Sequence, residues 1–225
     1  MRVIKKVKEK LKQGLFLRYL FDRLVAMGLE ITPYYLVQEG LFGETDLDLN
    51  PKLVQDVPDF LEPVDMKIIS AKSEVVFSEE MLLDRIANGG RCFAIKHNNN
   101  DIVAYSWCNL RECHSKLFPF QLKNDEAYLF DARTFEAYRG KTLGPYLRYQ
   151  LYKRLIQMRR TKFFSITLLF NTPAIKFKKK LKAKPVRFYL YIELFRKYHW
   201  NILLRNYEKS HGSRDLSSTI YFNQK

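Results

Sequence analysis

Nine consecutive residues, Tyr138-Arg139-Gly140-Lys141-Thr142-Leu143-Gly144-Pro145-Tyr146, carry the clearest chemical signal in this 225-residue chain. A β-prone run from Glu126 to Thr134 leads into them, and a helix-patterned segment, Leu147 to Met158, leads out. A strand that turns through glycine into a helix offers backbone N–H groups to an anion. The first N–H groups of a helix have no intrahelical partner, and the helix dipole leaves partial positive charge there. Arg139 and Lys141 add full charges, and the glycines let a ligand come close to the backbone. The chemistry implied is the holding of a pyrophosphate on the turn formed by Arg139, Gly140, Lys141, Thr142, Leu143 and Gly144.

Two common phosphate loops do not fit. A Walker loop has a glycine five residues before its Gly-Lys-Ser/Thr ending. Gly140-Lys141-Thr142 supplies the ending, but the earlier position is Phe135. The dinucleotide fingerprint needs three glycines in G-x-G-x-x-G, and this turn has two. The turn resembles the acetyl-CoA loop of the GNAT-type N-acetyltransferase superfamily, Arg/Gln-x-x-Gly-x-Gly/Ala. Arg139 and Gly144 match its ends, and Thr142 stands where the middle glycine is usual. Downstream, Asn171, Ala174, Phe177, Lys180 and Leu181 match the family's second motif, Asn-x-x-Ala-x-x-Phe/Leu-Tyr-x-Lys-Leu-Gly. Lys178 replaces its tyrosine and Lys182 its closing glycine. Order and spacing agree, and the resemblance covers roughly residues 64–205.

The resemblance implies direct attack of an acceptor amine or hydroxyl on the thioester of acetyl-CoA, with no metal. It implies that Arg133 and Thr134 hold the pantetheine through their backbone and that the turn holds the pyrophosphate. The side-chain amide of Asn171 would reach the pantetheine or acetyl region. For the general base there are two candidates, Asp131 and Glu136. Each is equally readable as a solvated carboxylate or as the partner of Arg133 or Lys141. A carboxylate, with a reference pKa near 4, needs desolvation to take a proton well. Lys178, at the tyrosine position, is either the acid that protonates the leaving thiolate or a contact to a CoA phosphate. Tyr189, Tyr191 and solvent are the other proton sources.

The elements that must position these groups read as a mixed, mostly antiparallel sheet flanked by helices, an α/β (α+β) fold. Ile31–Val37 reads as a first strand. Ser78 caps a helix over Glu79–Ala87, stopped by Asn88-Gly89-Gly90. Residues 91–97 and 102–110 form a hairpin around 98–101. Residues 112–124 read as a loop, 126–134 and 162–170 as strands, and 171–181 as a helix. Residues 186–195 and 200–206 read as a pair of strands. Three parts follow: a basic amphipathic helical extension (1–30), an acyltransferase-like domain (31–207) and a C-terminal tail or edge strand (208–225).

Charge is distributed unevenly. Residues 1–28 hold eight Lys/Arg and two acids, residues 29–138 ten and nineteen, and residues 139–205 eighteen and one, within a net charge of +15. A basic half that begins at the proposed loop suits a polyanionic ligand, and an acidic half beside it argues against a dedicated nucleic-acid protein. The basic helix either lies on an anionic membrane surface or packs on the domain or a second subunit. The acidic linker 44–62 either lines a pocket for a cationic acceptor or is a solvated connection. Three cysteines show no C-x-x-C spacing, and the two in strand-like runs read as core thiols; the setting implied is reducing and cytoplasmic, with peripheral contact to the inner membrane face as the variant. Four scattered histidines give no metal constellation. No apolar run reaches the ~20 residues of a membrane-spanning helix. Two functions remain open: acetyl transfer from acetyl-CoA to a small-molecule acceptor, or a catalytically weakened module docked through its basic helix.

Overall fold

A computed structural model describes residues 24–42, 57–97 and 101–207. The expected class is found: a mixed α+β fold with a mostly antiparallel sheet flanked by helices. The N-terminal helix up to residue 23, most of the acidic linker, the turn at 98–100 and the tail from 208 lie outside the described residues; Leu24–Ala26 are helical. By contact density the chain divides into two units. One comprises residues 38–165 and 176–184, and the other 1–37, 166–175 and 185–225. The division therefore runs inside the stretch 31–207 that the sequence reads as one domain.

The larger unit carries the proposed loop. Its strands are ordered β8-β7-β4-β3-β2: β2 (Asp59–Phe60), β3 (Gly90–His97), β4 (Asp101–Asn109), β7 (Glu126–Thr134) and the start of β8 (Lys162–Leu168). β3, β4 and β7 pair antiparallel, and β7 pairs with β8 in parallel. β4 is buried from Ile102 to Asn109 because both of its faces are covered. Such strands read as unbroken apolar runs rather than alternations. On one face α3 (Leu143–Gln157) sets Leu143, Leu147, Leu151 and Leu155 against Phe93, Ile95, Val103, Ala127, Leu129 and Phe163. On the other, α1 (Met66–Ser70) and α2 (Glu79–Ala87) bury Met66, Ile69 and Leu82 against Cys92, Ala94, Ile102, Tyr105 and Trp107.

α2 begins and ends where the sequence places it. The Ser78 hydroxyl accepts the Met81 N–H at 3.3 Å, Asn88 is the C-cap, and Gly89 follows with φ of 83°. The stretch 112–124 is less irregular than expected. Glu112–Cys113 (β5) pairs with Phe120–Gln121 (β6), and Cys113 is buried. Cys92 and Cys108 are likewise buried, and all three are free thiols.

The smaller unit has the order β10-β9-β1-β8, in which β1 is Leu29–Glu39, longer than expected at both ends. β9 (Lys184–Leu194) and β10 (Tyr198–Asn206) form an antiparallel hairpin, as their sequences predict. Its turn places Phe195 and Arg196 at φ of 51° and 57°, the pattern of a type I′ turn made without glycine. Tyr34 stacks on Tyr189 with ring centroids 5.4 Å apart and donates its hydroxyl to Asn201 at 2.9 Å.

The junction of α2 and β3 leaves no room for a side chain at Gly90, where a Cβ would stand 2.6 Å from the Arg85 carbonyl oxygen. Gly90→Ala is expected to cost about 1–3 kcal/mol, the usual range for forced overpacking, with a lower denaturation midpoint and an unchanged m value in urea.

Candidate active site

β7 departs from a regular strand before it reaches the loop. Its register on β4 slips between Trp107↔Phe130 and Ser106↔Ala132, so Asp131 is an extra, bulged residue with φ of 41°. Strict alternation would send Phe130 and Asp131 to opposite faces. The bulge brings both to the α2 face, where the Arg85 guanidinium meets Asp131 at 2.6 Å and lies over the rings of Phe77, at 3.9 Å, and Phe130. Asp131 therefore pairs with Arg85, not with the Arg133 or Lys141 that the sequence suggests.

The pairing of β7 with β8 covers only Glu126–Tyr128 against Lys162–Phe164. From Leu129 onward the outer edge of β7 has no β8 partner; at its end the Thr134 carbonyl accepts from the Arg139 side chain. The Phe135 N–H bonds to the Val103 carbonyl. By antiparallel alternation the N–H and C=O of Thr134 then point away from β4 and those of Arg133 toward it. This favours Thr134 over Arg133 as the backbone contact. The side chain of Arg133 donates to the Glu74 carbonyl.

A single 3-10 turn, Glu136–Tyr138, joins β7 to the loop. It uses the Arg139 N–H, which bonds to the Glu136 carbonyl at 3.1 Å. Arg139 therefore contributes by position and charge rather than by its N–H. Its guanidinium meets the Glu74 carboxylate at 2.9 Å and the Thr134 carbonyl at 3.2 Å. Glu74 also accepts the Glu136 N–H at 2.8 Å, so one carboxylate fixes both ends of the turn. The N–H groups of Gly140, Lys141, Thr142, Leu143 and Gly144 have no backbone acceptor among the described residues.

The loop retains a glycine's backbone where the sequence has lost the glycine. Thr142, at the motif's middle position, is the N-cap of α3 and has φ of 58° and ψ of 10°, with no side-chain capping bond. Lys182, at the second motif's closing glycine, also has positive φ, 54°. It ends α4 (Thr172–Lys180) in a Schellman arrangement, with Lys182 N–H on the Lys179 carbonyl and Ala183 N–H on that of Lys178. Gly144 is needed for room: its Cβ would lie 3.1 Å from the Thr134 hydroxyl and 3.5 Å from the Phe177 ring. In the smaller unit, Asn171 caps α4, its side-chain oxygen accepting the Ala174 N–H at 3.2 Å.

Lys178 is not presented to solvent. Its ammonium is buried, 2.7 Å from Glu39 and hydrogen-bonded to the Ser165 hydroxyl. The second Glu39 oxygen accepts the Tyr152 hydroxyl at 2.6 Å, and Arg148 lies 3.7 Å from it. Burial alone would raise the Glu39 carboxyl, but the charges of Lys178 and Arg148 outweigh it and hold the group at about 2. Lys178 does not mirror this. Burial and the repulsion of Arg148 lower its ammonium by more than the attraction of Glu39 raises it. An acid role for Lys178 thus meets a side chain already engaged in the core. Glu136 is exposed beside the loop.

Sequence reasoning missed Glu39, Glu74, Arg85, Arg148, Tyr152 and Ser165. One signal was present: Gly144, Arg148 and Tyr152 recur at four-residue steps on α3, which puts a charge on a buried stripe. Among the described residues no group of three or more His, Cys, Asp or Glu could hold a metal.

No family model matches the chain, and no curated protein does. Solved structures do. A GNAT-family acetyltransferase from Colwellia psychrerythraea superposes with a TM-score of 0.51 over 74% of this chain, at 15% identity. The chain has a GNAT-type fold. It spans 57% of the length of the Colwellia protein. A GNAT-family protein from Novosphingobium aromaticivorans matches at a TM-score of 0.49 and 14% identity, over 74% of this chain and 66% of its own. The ribosomal-protein-S18-alanine N-acetyltransferase of Escherichia coli matches at 0.45 and 19% identity, over 56% of this chain and 75% of its own.

Two outcomes follow from this geometry. Thr142→Gly removes a left-handed threonine that costs ~1–2 kcal/mol and adds the ~0.5–1 kcal/mol entropy of glycine. The variant is expected to be up to ~1.5 kcal/mol more stable, and titration should show acetyl-CoA bound at least as tightly. Glu39→Gln leaves Lys178 and Arg148 without their counter-charge and is expected to cost roughly 3–5 kcal/mol by chemical denaturation. Because the Glu39 carboxyl is depressed in the folded state, its contribution is present above about 4.5 and is lost as pH falls toward about 2.

Proposed function

We propose that the chain is an acyltransferase that moves an acetyl group from acetyl-CoA to the amine or hydroxyl of a small-molecule acceptor by direct attack. The observation that carries this reading is two stretches of unpaired backbone separated by the 3-10 turn: the outer edge of β7 from Leu129 to the Thr134 N–H, and, among the described residues, the five N–H groups from Gly140 to Gly144. Such a pair suits a ligand with a pantetheine-like arm of amides and a pyrophosphate. Amides pair with a free strand edge, and phosphates with N–H groups at a helix start. The thioester supplies an activated acyl carbon when bound.

The chain's own residues then have distinct tasks. The turn and Lys141 hold the diphosphate; Glu74 holds Arg139 and the turn in register. Asp131 and Glu136 are the carboxylates that can take the acceptor's proton. Asp131 is held by Arg85 on the bulged strand, and Glu136 stands at the turn. With Lys178 tied to Glu39, the leaving thiolate takes its proton from solvent. Holding the acyl donor and acceptor together in a reactive pose accounts for most of the rate such a site can provide.

The same burial of Lys178 favours a second reading, a GNAT-type fold that binds CoA with little turnover. Isothermal titration with acetyl-CoA and release of free thiol in the presence of an amine and amino-sugar panel separate the outcomes. Binding with thiol release supports acyl transfer, and binding without it supports the second reading. Absence of binding at high micromolar acetyl-CoA by folded protein would end both.

A further inference from the structure

The buried group around Glu39 has more positive charge than negative. Lys178 and Arg148 are cations, Glu39 is the one carboxylate near them among the described residues, and Tyr152 and Ser165 are neutral. The acceptors are already used. One oxygen of Glu39 takes the Lys178 ammonium and the other takes the Tyr152 hydroxyl, while the Ser165 oxygen takes Lys178 as well. Arg148 is 3% exposed, and its Nε and Nη1 have no hydrogen-bond partner among the described residues. Its nearest carboxylate oxygen, at 3.7 Å, is beyond hydrogen-bond reach of Nε, and the guanidinium rests 5.7 Å from the Phe177 ring centroid. Buried N–H donors on a charged group are rarely left unmade, since the loss of solvation is large. A ring face meets part of that need and a water molecule another part, but neither supplies the missing charge.

We propose that Arg148 holds a small monovalent anion of the halide class, chloride in solution, in the buried cluster it forms with Glu39, Lys178, Tyr152 and Ser165. Three features set the class. The excess is one positive charge, so one negative charge balances it. The free donors, Nε and Nη1, point in different directions from the guanidinium, so a compact acceptor suits either one of them. A divalent anion would have to shed a far larger hydration energy to enter a site this buried. The anion lies inside the fold rather than on the Gly140–Gly144 turn, so it is a separate site from that for the acyl donor.

Wild-type protein crystallised from bromide in place of chloride provides the direct test. The expected result is an anomalous peak within hydrogen-bond distance of Arg148 Nε or Nη1. In solution, thermal unfolding is followed as chloride replaces gluconate at constant ionic strength. The wild-type midpoint should rise with the logarithm of chloride concentration, and the response should vanish in Arg148→Met, which retains the packing volume without the charge. A bromide-soaked crystal with Arg148 ordered and only water beside it would overturn the proposal, with Lys178 then the group that sheds the excess charge. Equal midpoints in chloride and gluconate would overturn it too. The wild-type measurements decide the matter if Arg148→Met does not fold. Acetyl-CoA titration of the same wild-type protein reads the proposed turn independently, so failure of one site is distinguishable from failure of the other.

Discussion

A strand inside a sheet has its backbone spoken for on both sides; β7 does not, and the site follows from that exception. An antiparallel ladder accepts one surplus residue only by bending the strand that carries it and leaving that residue unpaired. Asp131 is that residue, and beyond it β7 continues on β4 alone. Its other edge stays open from Leu129. The strand then has to reverse into α3 within a few residues. It does so through a 3-10 turn and a left-handed N-cap, which leaves five N–H groups without backbone partners among the described residues. Cores on both faces tolerate the irregularity because the α3 leucines and the α1–α2 cluster grip the regular part of the strands.

The loop's cost is met locally. A positive φ at a β-branched residue is unfavourable, yet Thr142 is held there between two constraints. Upstream, Glu74 takes the Glu136 N–H and the Arg139 guanidinium; downstream, Gly144 lets α3 approach Thr134 and Phe177 closely. The backbone shape is thus set by the surroundings rather than by the residue. That is how the loop can depart from its motif at one position and still present the same groups.

Much of this was legible in the sequence for physical reasons. The α2 cap is a local side-chain bond and needs only Ser78 and its neighbours. The β9–β10 hairpin is written in β-branched and aromatic residues on both sides of a short turn. The loop was legible because a strand that turns through glycine into a helix has a recognisable composition. The bulge was not, since nothing in Phe130-Asp131-Ala132 announces that one residue will be left over. Arg85 and Glu74 are distant in sequence from the groups they hold, and surface-type residues give no sign of their partners. The motif position of Lys178 suggests an acid or a phosphate contact; only the fold brings Glu39 and Ser165 to it. Arg139 shows a subtler gap: its motif position was readable, while the use of its N–H by the preceding turn depends on local backbone geometry.

The three cysteines have a chemical consequence that their burial sets. Desolvation is the leading cause in each case. It raises Cys92 well above the usual thiol range, Cys108 to about 12 and Cys113 to about 11. Nucleophilic attack on a disulfide or an alkylating agent requires the thiolate and an open approach to sulfur, and these side chains provide neither. While folded, the protein is therefore a quiet background toward thiol-selective reagents. A thiol that appears in solution stands out against it, and reactivity of the protein's own sulfurs becomes a gauge of how often the core opens.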